Sequence, residues 1–227
     1  LIEIIRVAGW LAGCPVVEIA EMMCEKSLVP VKKVNKMQTV KAYTAVGSRE
    51  TPPDILTLMK RIGYRMAQLG YVGRSGGADG ADSAFYEGYV VAKQHGCNKG
   101  NFEVYLPWEG FNGLSLNTPE MVNTKRKANY NDAREVASQI HPAWHRCTDG
   151  AKALHIRNVY QFWGHDLQSP SRVLICWAPL GQYAGTVKGG TNTAVQMARI
   201  AGTPVYNLLV DADKEKLLKL LGMGKYL

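Results

Sequence analysis

Disulfide frameworks and long apolar runs are both missing from this sequence. Its 227 residues include five cysteines, Cys14, Cys24, Cys97, Cys147 and Cys176, an odd number with wide spacing and no C-x-x-C pair. That pattern argues against a disulfide scaffold or a structural zinc site and points to a reduced, cytoplasmic setting. No uninterrupted run of about 18 apolar residues occurs, so no membrane span is expected. Glu3, Arg6, Glu18 and Glu21 break up the N-terminal stretch, which also lacks the basic n-region and clean apolar h-region of a signal peptide. The chain opens on Leu1 rather than methionine, and Met37, just ahead of the organised domain, is a candidate natural start. Acidic residues are scarce relative to basic ones: 19 Asp and Glu against 27 Lys and Arg leave a net charge of +8. Such a balance favours anionic partners, among them phosphates, nucleotides and nucleic acid. The apolar fraction of 46% and charged fraction of 20% are those of an ordinary globular chain.

Residues 1–36 read as an N-terminal helical extension, two short amphipathic helices broken near Gly13 and Pro15. Residues 37–227 form the main domain, where strand and helix signals alternate. Val40–Val46 is a strand leading into Gly47, Ser48 and Arg49. Thr51 is the expected N-cap of the next helix, with Pro52 at its first position and Asp54 three residues after the cap. Ile55, Leu58, Met59, Ile62, Met66 and Leu69 repeat at helical spacing up to Gly70. Further strands are expected at 71–74, 102–106, 173–177 and 205–210, with helices from about 82 to 95 and at 132–140, 149–163, 192–201 and 214–221. The stretch 109–130 reads as a long polar loop. This alternation predicts an α/β fold with a Rossmann-like, mostly parallel sheet and helices on both faces. Ligands of such sheets bind beyond the carboxyl ends of the strands.

Glycine-rich turns sit at those ends. Ser75-Gly76-Gly77-Ala78-Asp79-Gly80-Ala81-Asp82 joins a strand to a helix, and Lys188-Gly189-Gly190-Thr191-Asn192-Thr193 opens another helix. Glycines allow close backbone approach, and a helix start offers unpaired N–H groups to a phosphate. The second turn has neither Walker A nor G-x-G-x-x-G spacing. Arg49 adds a planar fork for a phosphate or carboxylate, and Arg157-Asn158 lie in the helix before the apolar strand 173–177.

Taken together, Gly47-Ser48-Arg49, the Ser75–Asp82 turn, Arg157-Asn158 and Gly189-Gly190-Thr191-Asn192-Thr193-Ala194 resemble the SLOG superfamily, most of all its small phage and bacterial members. That superfamily includes the DprA DNA-processing proteins and the Lonely Guy phosphoribohydrolases. The resemblance spans about residues 40–210 and implies a Rossmannoid domain with a nucleotide or ADP-ribose-like ligand. It implies ligand- and phosphate-binding roles for Gly47, Ser48, Arg49, Ser75, Gly76, Gly77, Asp79, Asp82, Arg157, Asn158, Gly189, Gly190, Thr191 and Thr193. Lonely Guy enzymes use the glutamate of a Pro-Gly-Gly-x-Gly-Thr-x-x-Glu motif for N-glycosidic hydrolysis. Here Gln196 falls at that position, and an amide cannot act as a carboxylate acid or base. The expectation is therefore binding, as a sensor or sequestering protein. Hydrolysis with Asp79, Asp82 or Glu50 as substitute, and DprA-like binding of single-stranded DNA, are the alternatives. Homodimers or higher oligomers are a further expectation from the family.

Trp108 and Trp144 are candidates for base stacking. His141 and His145 are four apart, but Pro142 interrupts any helix that would align them, and Cys147 has no histidine at a telling spacing. No metal site is expected.

Overall fold

The computed structural model describes residues 40–226. The two helices expected within 1–36, the candidate start at Met37, and Cys14 and Cys24 lie outside the described residues. In chain order the elements are β1 (Ala42–Gly47), α1 (Pro53–Gln68), β2 (Val72–Ser75), α2 (Ala81–Gln94), β3 (Asn101–Leu106), β4 (Met121–Asn123), α3 (Tyr130–Ile140), α4 (Asp149–Trp163), β5 (Val173–Trp177), α5 (Thr191–Ile200), β6 (Val205–Asn207) and α6 (Asp211–Leu220). The strands form one six-stranded sheet in the order β4-β3-β2-β1-β5-β6. Every pairing is parallel, a Rossmann-like arrangement.

Side chains alternate across this sheet with period 2. Tyr43, Ala45, Phe102, Val104 and Ile175 enter an apolar core shared with α1, α2 and α6. Val46, Tyr105, Leu174 and Cys176 enter a second core shared with α3, α4 and α5. Both faces are covered, which is why β5 reads as a continuous apolar run. Burial pushes the Cys176 thiol up to about 12, making it an inert packing group. Among the described residues no helix is long and apolar enough to cross a membrane.

Three local expectations change. Thr51 does not cap α1: its Oγ1 donates to Ser48 O at 2.7 Å, and Pro52 holds the N-cap position. The hydroxyl is drawn into closing the turn after β1, and a proline needs no partner for a missing N–H. The stretch 109–130 is not all loop, because Met121–Asn123 pairs with β3 as an edge strand. Three half-buried residues flanked by polar sequence carry too little periodicity to be seen. The last strand stops at Asn207, whose side chain accepts from Ala178 N (3.1 Å) and Leu209 N (3.2 Å) and donates to Ala178 O (2.7 Å). These bonds turn the chain out of the sheet.

Helices α1 and α2 pack at backbone distance. A Cβ on Gly63 would lie 2.3 Å from Phe85 O, and one on Gly88 would lie 2.0 Å from Lys60 O. Neither obstacle is a flexible side-chain tip, so the helices must separate to admit a methyl group. Gly88→Ala is expected to destabilise the fold by about 1–3 kcal/mol through overpacking. Gly150→Ala meets no atom within 4 Å and is expected to stabilise it by roughly 0.5–1 kcal/mol. Urea unfolding of the two variants beside the parent checks both signs.

Candidate functional site

The sheet order reverses at β1, whose neighbours are β2 on one side and β5 on the other. Carboxyl ends of strands at such a switch point flank a crevice. Here a cleft of about 540 Å³ opens beside Gly47, within the size range of small-ligand sites. Gly47 cannot be replaced without moving its surroundings, since a Cβ there would lie 2.5 Å from Ala81 Cβ and 2.9 Å from Trp177 O. Ser48 N then donates to Trp177 O at 2.9 Å, and Ser48 Oγ accepts from Glu50 N at 3.1 Å. This tight turn leaves Arg49 and Glu50 exposed on the cleft wall.

The turn between β2 and α2 is organised around Asp82. Its Oδ2 accepts from Gly76 N (3.2 Å), Ala78 N (3.4 Å) and Arg157 Nη1 (3.0 Å). Burial pushes the Asp82 carboxyl above its ordinary range, and Arg157 with the two amides opposes that shift. Burial likewise lowers Arg157, with Asp82 opposing. A Cβ on Gly76 would lie 1.2 Å from Arg157 Nη1. Gly76 is therefore glycine to admit the guanidinium. Gly77, at φ +64°, packs towards Leu106 and Leu114. Ser75 Oγ donates to Asp82 O at 3.3 Å, and Asp79 is exposed. Of this turn, Ala78 and Asp82 line the cleft, while Ser75, Gly76, Gly77 and Asp79 do not. Of its glycines, Gly76 makes room for the Asp82–Arg157 contact, whereas a Cβ on Gly80 would lie 3.0 Å from Ser48 O.

Helix α4 forms another wall. Leu154, Asn158 and Gln161 recur at helical spacing, with His155 and Arg157 beside them. Asn158 Nδ2 donates to Gly190 O at 2.9 Å, holding the turn before α5. That turn brings Lys188, Gly189, Gly190 and Thr191 to the cleft. Gly189 has φ +76° and so favours glycine, whereas Gly190 has φ −63° and nothing within 4 Å of a Cβ. Neither backbone conformation nor packing among the described residues requires glycine at 190. No side chain caps α5; Asn192 N donates to Gly189 O (3.2 Å) and Thr193 N to Gly190 O (3.3 Å), which leaves the N–H of Thr191 open at the cleft among the described residues. Thr193 is turned away from this opening: it is buried, and its Oγ1 lies 2.8 Å from His155 Nδ1.

Sequence reasoning missed His155 and Gln161. Gln161 is fully buried, its side-chain N and O both lack hydrogen-bond partners among the described residues, and it lines the cleft; Arg157 Nε is also unpartnered. The signal was polar residues repeated on one face of a buried helix. His155 has its pKa lowered to about 4, by burial first and then by His141 and Arg157, so it is neutral at neutral pH. Gln196 lies outside the cleft lining: its Nε2 donates to Gly185 O (3.1 Å) and Asn192 Oδ1 (3.2 Å), bracing the loop. The tryptophans are also elsewhere. Trp108 meets Phe111 edge-on at 5.2 Å, and Trp144 packs 6.5 Å from the His155 ring at the edge of the second core. Neither lines the cleft. His141 meets Cys147 and His155 in space, with their ligand atoms within 4.8 Å of one another, residues that chain spacing did not connect.

Removing either partner of the Asp82–Arg157 pair strands a buried charge. Asp82→Ala and Arg157→Met are each expected to cost about 3–5 kcal/mol, and the double variant clearly less than their sum. Urea unfolding of the three variants measures this coupling, and strict additivity would show that the pair carries no shared energy.

No protein-family model, curated protein or solved structure matches the chain.

Proposed function

We propose that the cleft binds a nucleotide or nucleotide-derived ligand, with its phosphate at the turn before α5. The observation that carries this reading is the unpartnered amide of Gln161, buried yet lining the cleft. A buried polar group without a partner costs about 1–3 kcal/mol, so a ligand that pairs it has something to gain. An amide offers a donor and an acceptor together, which suits a base edge or ribose hydroxyls. Gly190 and Thr191 supply open backbone at a helix start, which suits a phosphate. Lys188 and Arg49 line the same cleft without a carboxylate partner among the described residues. The likeness of these turns to SLOG proteins supports the same reading. A sensor or sequestering role follows, since Asp82 is committed to Arg157 and the residue at the family's glutamate position is Gln196, outside the cleft.

One observation favours a second reading, N-glycosidic hydrolysis. Glu50 lines the cleft and, unlike Asp82, is in no ion pair among the described residues. It is the carboxylate available to activate a water.

Gly190→Ala separates binding from folding, because its Cβ has room in the protein alone. Thermal stability is expected to stay near that of the parent, while affinity for AMP or ADP-ribose falls at least about tenfold as the methyl group excludes the phosphate. Gln161→Met is expected to stabilise the unliganded protein by about 1–2 kcal/mol and to weaken the same ligands. Calorimetric titration with AMP, ADP-ribose and inorganic phosphate reads both. Binding unchanged in both variants, or no heat with any of these ligands, would sink the proposal. A steep loss of single-stranded DNA binding with salt would instead favour a nucleic-acid role. For hydrolysis, release of free base from AMP should vanish in Glu50→Gln; release that survives this change removes Glu50 from the chemistry.

A further inference from the structure

The proposed ligand cleft leaves one cluster of chemically capable side chains without a role. His141 ends α3, Cys147 follows the 3-10 turn Trp144–Arg146, and His155 lies in α4. Their ligand atoms all lie within 4.8 Å of one another. Cys147 Sγ is 3.7 Å from His141 Nδ1, and the two imidazole rings are 4.3 Å apart at their centroids. Tetrahedral zinc, with Zn–S about 2.3 Å and Zn–N about 2.0 Å, holds sulfur and nitrogen ligands about 3.5 Å from each other. The observed sulfur–nitrogen distance is already close to that spacing.

A second feature prepares His155. Its Nδ1 is 2.8 Å from the hydroxyl of buried Thr193, which leaves Nε2 as the nitrogen without that bond. Such an outer hydrogen bond fixes the ring and tautomer of metal-bound histidines. Thr193, expected from sequence to hold phosphate, has this imidazole as its neighbour instead. His145 shares neither the cluster nor these contacts and is exposed.

We propose that His141, Cys147 and His155 bind a zinc-class divalent cation, leaving a fourth position for water or an anionic oxygen. A thiolate with two imidazoles selects zinc or its cobalt substitute over magnesium and calcium, which take oxygen ligands. On binding, Cys147 releases its thiol proton to solvent and forms the metal–sulfur bond as thiolate. The weak contacts of Sγ with Ala143 O (3.6 Å) and of Ala143 N–H with His141 Nδ1 (3.3 Å) give way to coordination. The cation then staples the loop between α3 and α4 to α4 itself. Because His155 also lines the cleft, the metal stands at the wall of the proposed ligand site. Coordination needs only these three side chains, whatever occupies the cleft.

The full chain, stripped of metal with a chelator, is titrated with Co²⁺ and then Zn²⁺. One equivalent of Co²⁺ is expected to give a thiolate-to-cobalt charge-transfer band with the intense visible absorption of four-coordinate cobalt, and Zn²⁺ should abolish both. Cys147→Ser should lose the charge-transfer band. His155→Ala should weaken binding at least about tenfold, and His145→Ala should leave it unchanged. Zn²⁺ should raise Tm of the parent but not of Cys147→Ser. The parent spectrum needs no variant to fold, so its absence at saturating cobalt overturns the proposal. So does a charge-transfer band that persists in Cys147→Ser.

Discussion

The contact between Asp82 and Arg157 ties the turn between β2 and α2 to α4, and both residues line the cleft. Two charges removed from water cost several kcal/mol each unless hydrogen bonds replace the lost solvent. Here one carboxylate oxygen receives Arg157 Nη1 and the amides of Gly76 and Ala78. The arrangement is possible only because residue 76 carries no side chain, since a Cβ would overlap the guanidinium. One ion pair therefore determines the conformation of the glycine-rich turn, the anchoring of α4 and the shape of the cleft floor.

The two sides of the sheet do different work. On one side α1 and α2 meet at Gly63 and Gly88 so closely that backbone faces backbone, a rigid layer with little room for variation. On the other side α4 carries polar residues into an otherwise apolar core. Thr44 Oγ1 donates to Gln161 O at 2.9 Å and so fixes the helix against β1, while the Gln161 amide stays without a partner. A sequence optimised only for stability would place an apolar residue there. Retaining glutamine is the kind of local inconsistency expected where a binding site and a packed core compete for one position.

Helix α4 also connects the cleft to the histidine–cysteine cluster. Arg157, Asn158 and Gln161 turn towards the cleft, and His155 is shared between the cleft wall and the cluster with His141 and Cys147. Among the described residues, the polar side chains of the cleft and of the cluster are thus concentrated on one helix and the turns it braces. The opposite layer, built from α1, α2 and α6, shares one apolar core with the sheet.

Alternation of period 2 and period 3.6 was enough to locate β1, β3, β5 and the helices that follow them, because burying both sheet faces demands apolar residues at fixed intervals. Local glycine spacing was likewise enough to mark the turns at Gly47, Gly76 and Gly189, since close approach and positive φ leave few other choices. Edge strand β4 escaped because three half-buried residues make no period. Which turn residues line the cleft was beyond the sequence: the Ser75–Asp82 glycines read as a phosphate cradle, and only the arrival of Arg157, 75 residues away from Asp82, made Gly76 room for a guanidinium. The same holds for His141, Cys147 and His155, whose chain spacing fits no motif. Local residue type determined where the chain could bend and which faces it had to bury, whereas the meeting of α4 with three separate loops was decided by tertiary packing, because contacts between distant segments leave no periodic trace along the chain.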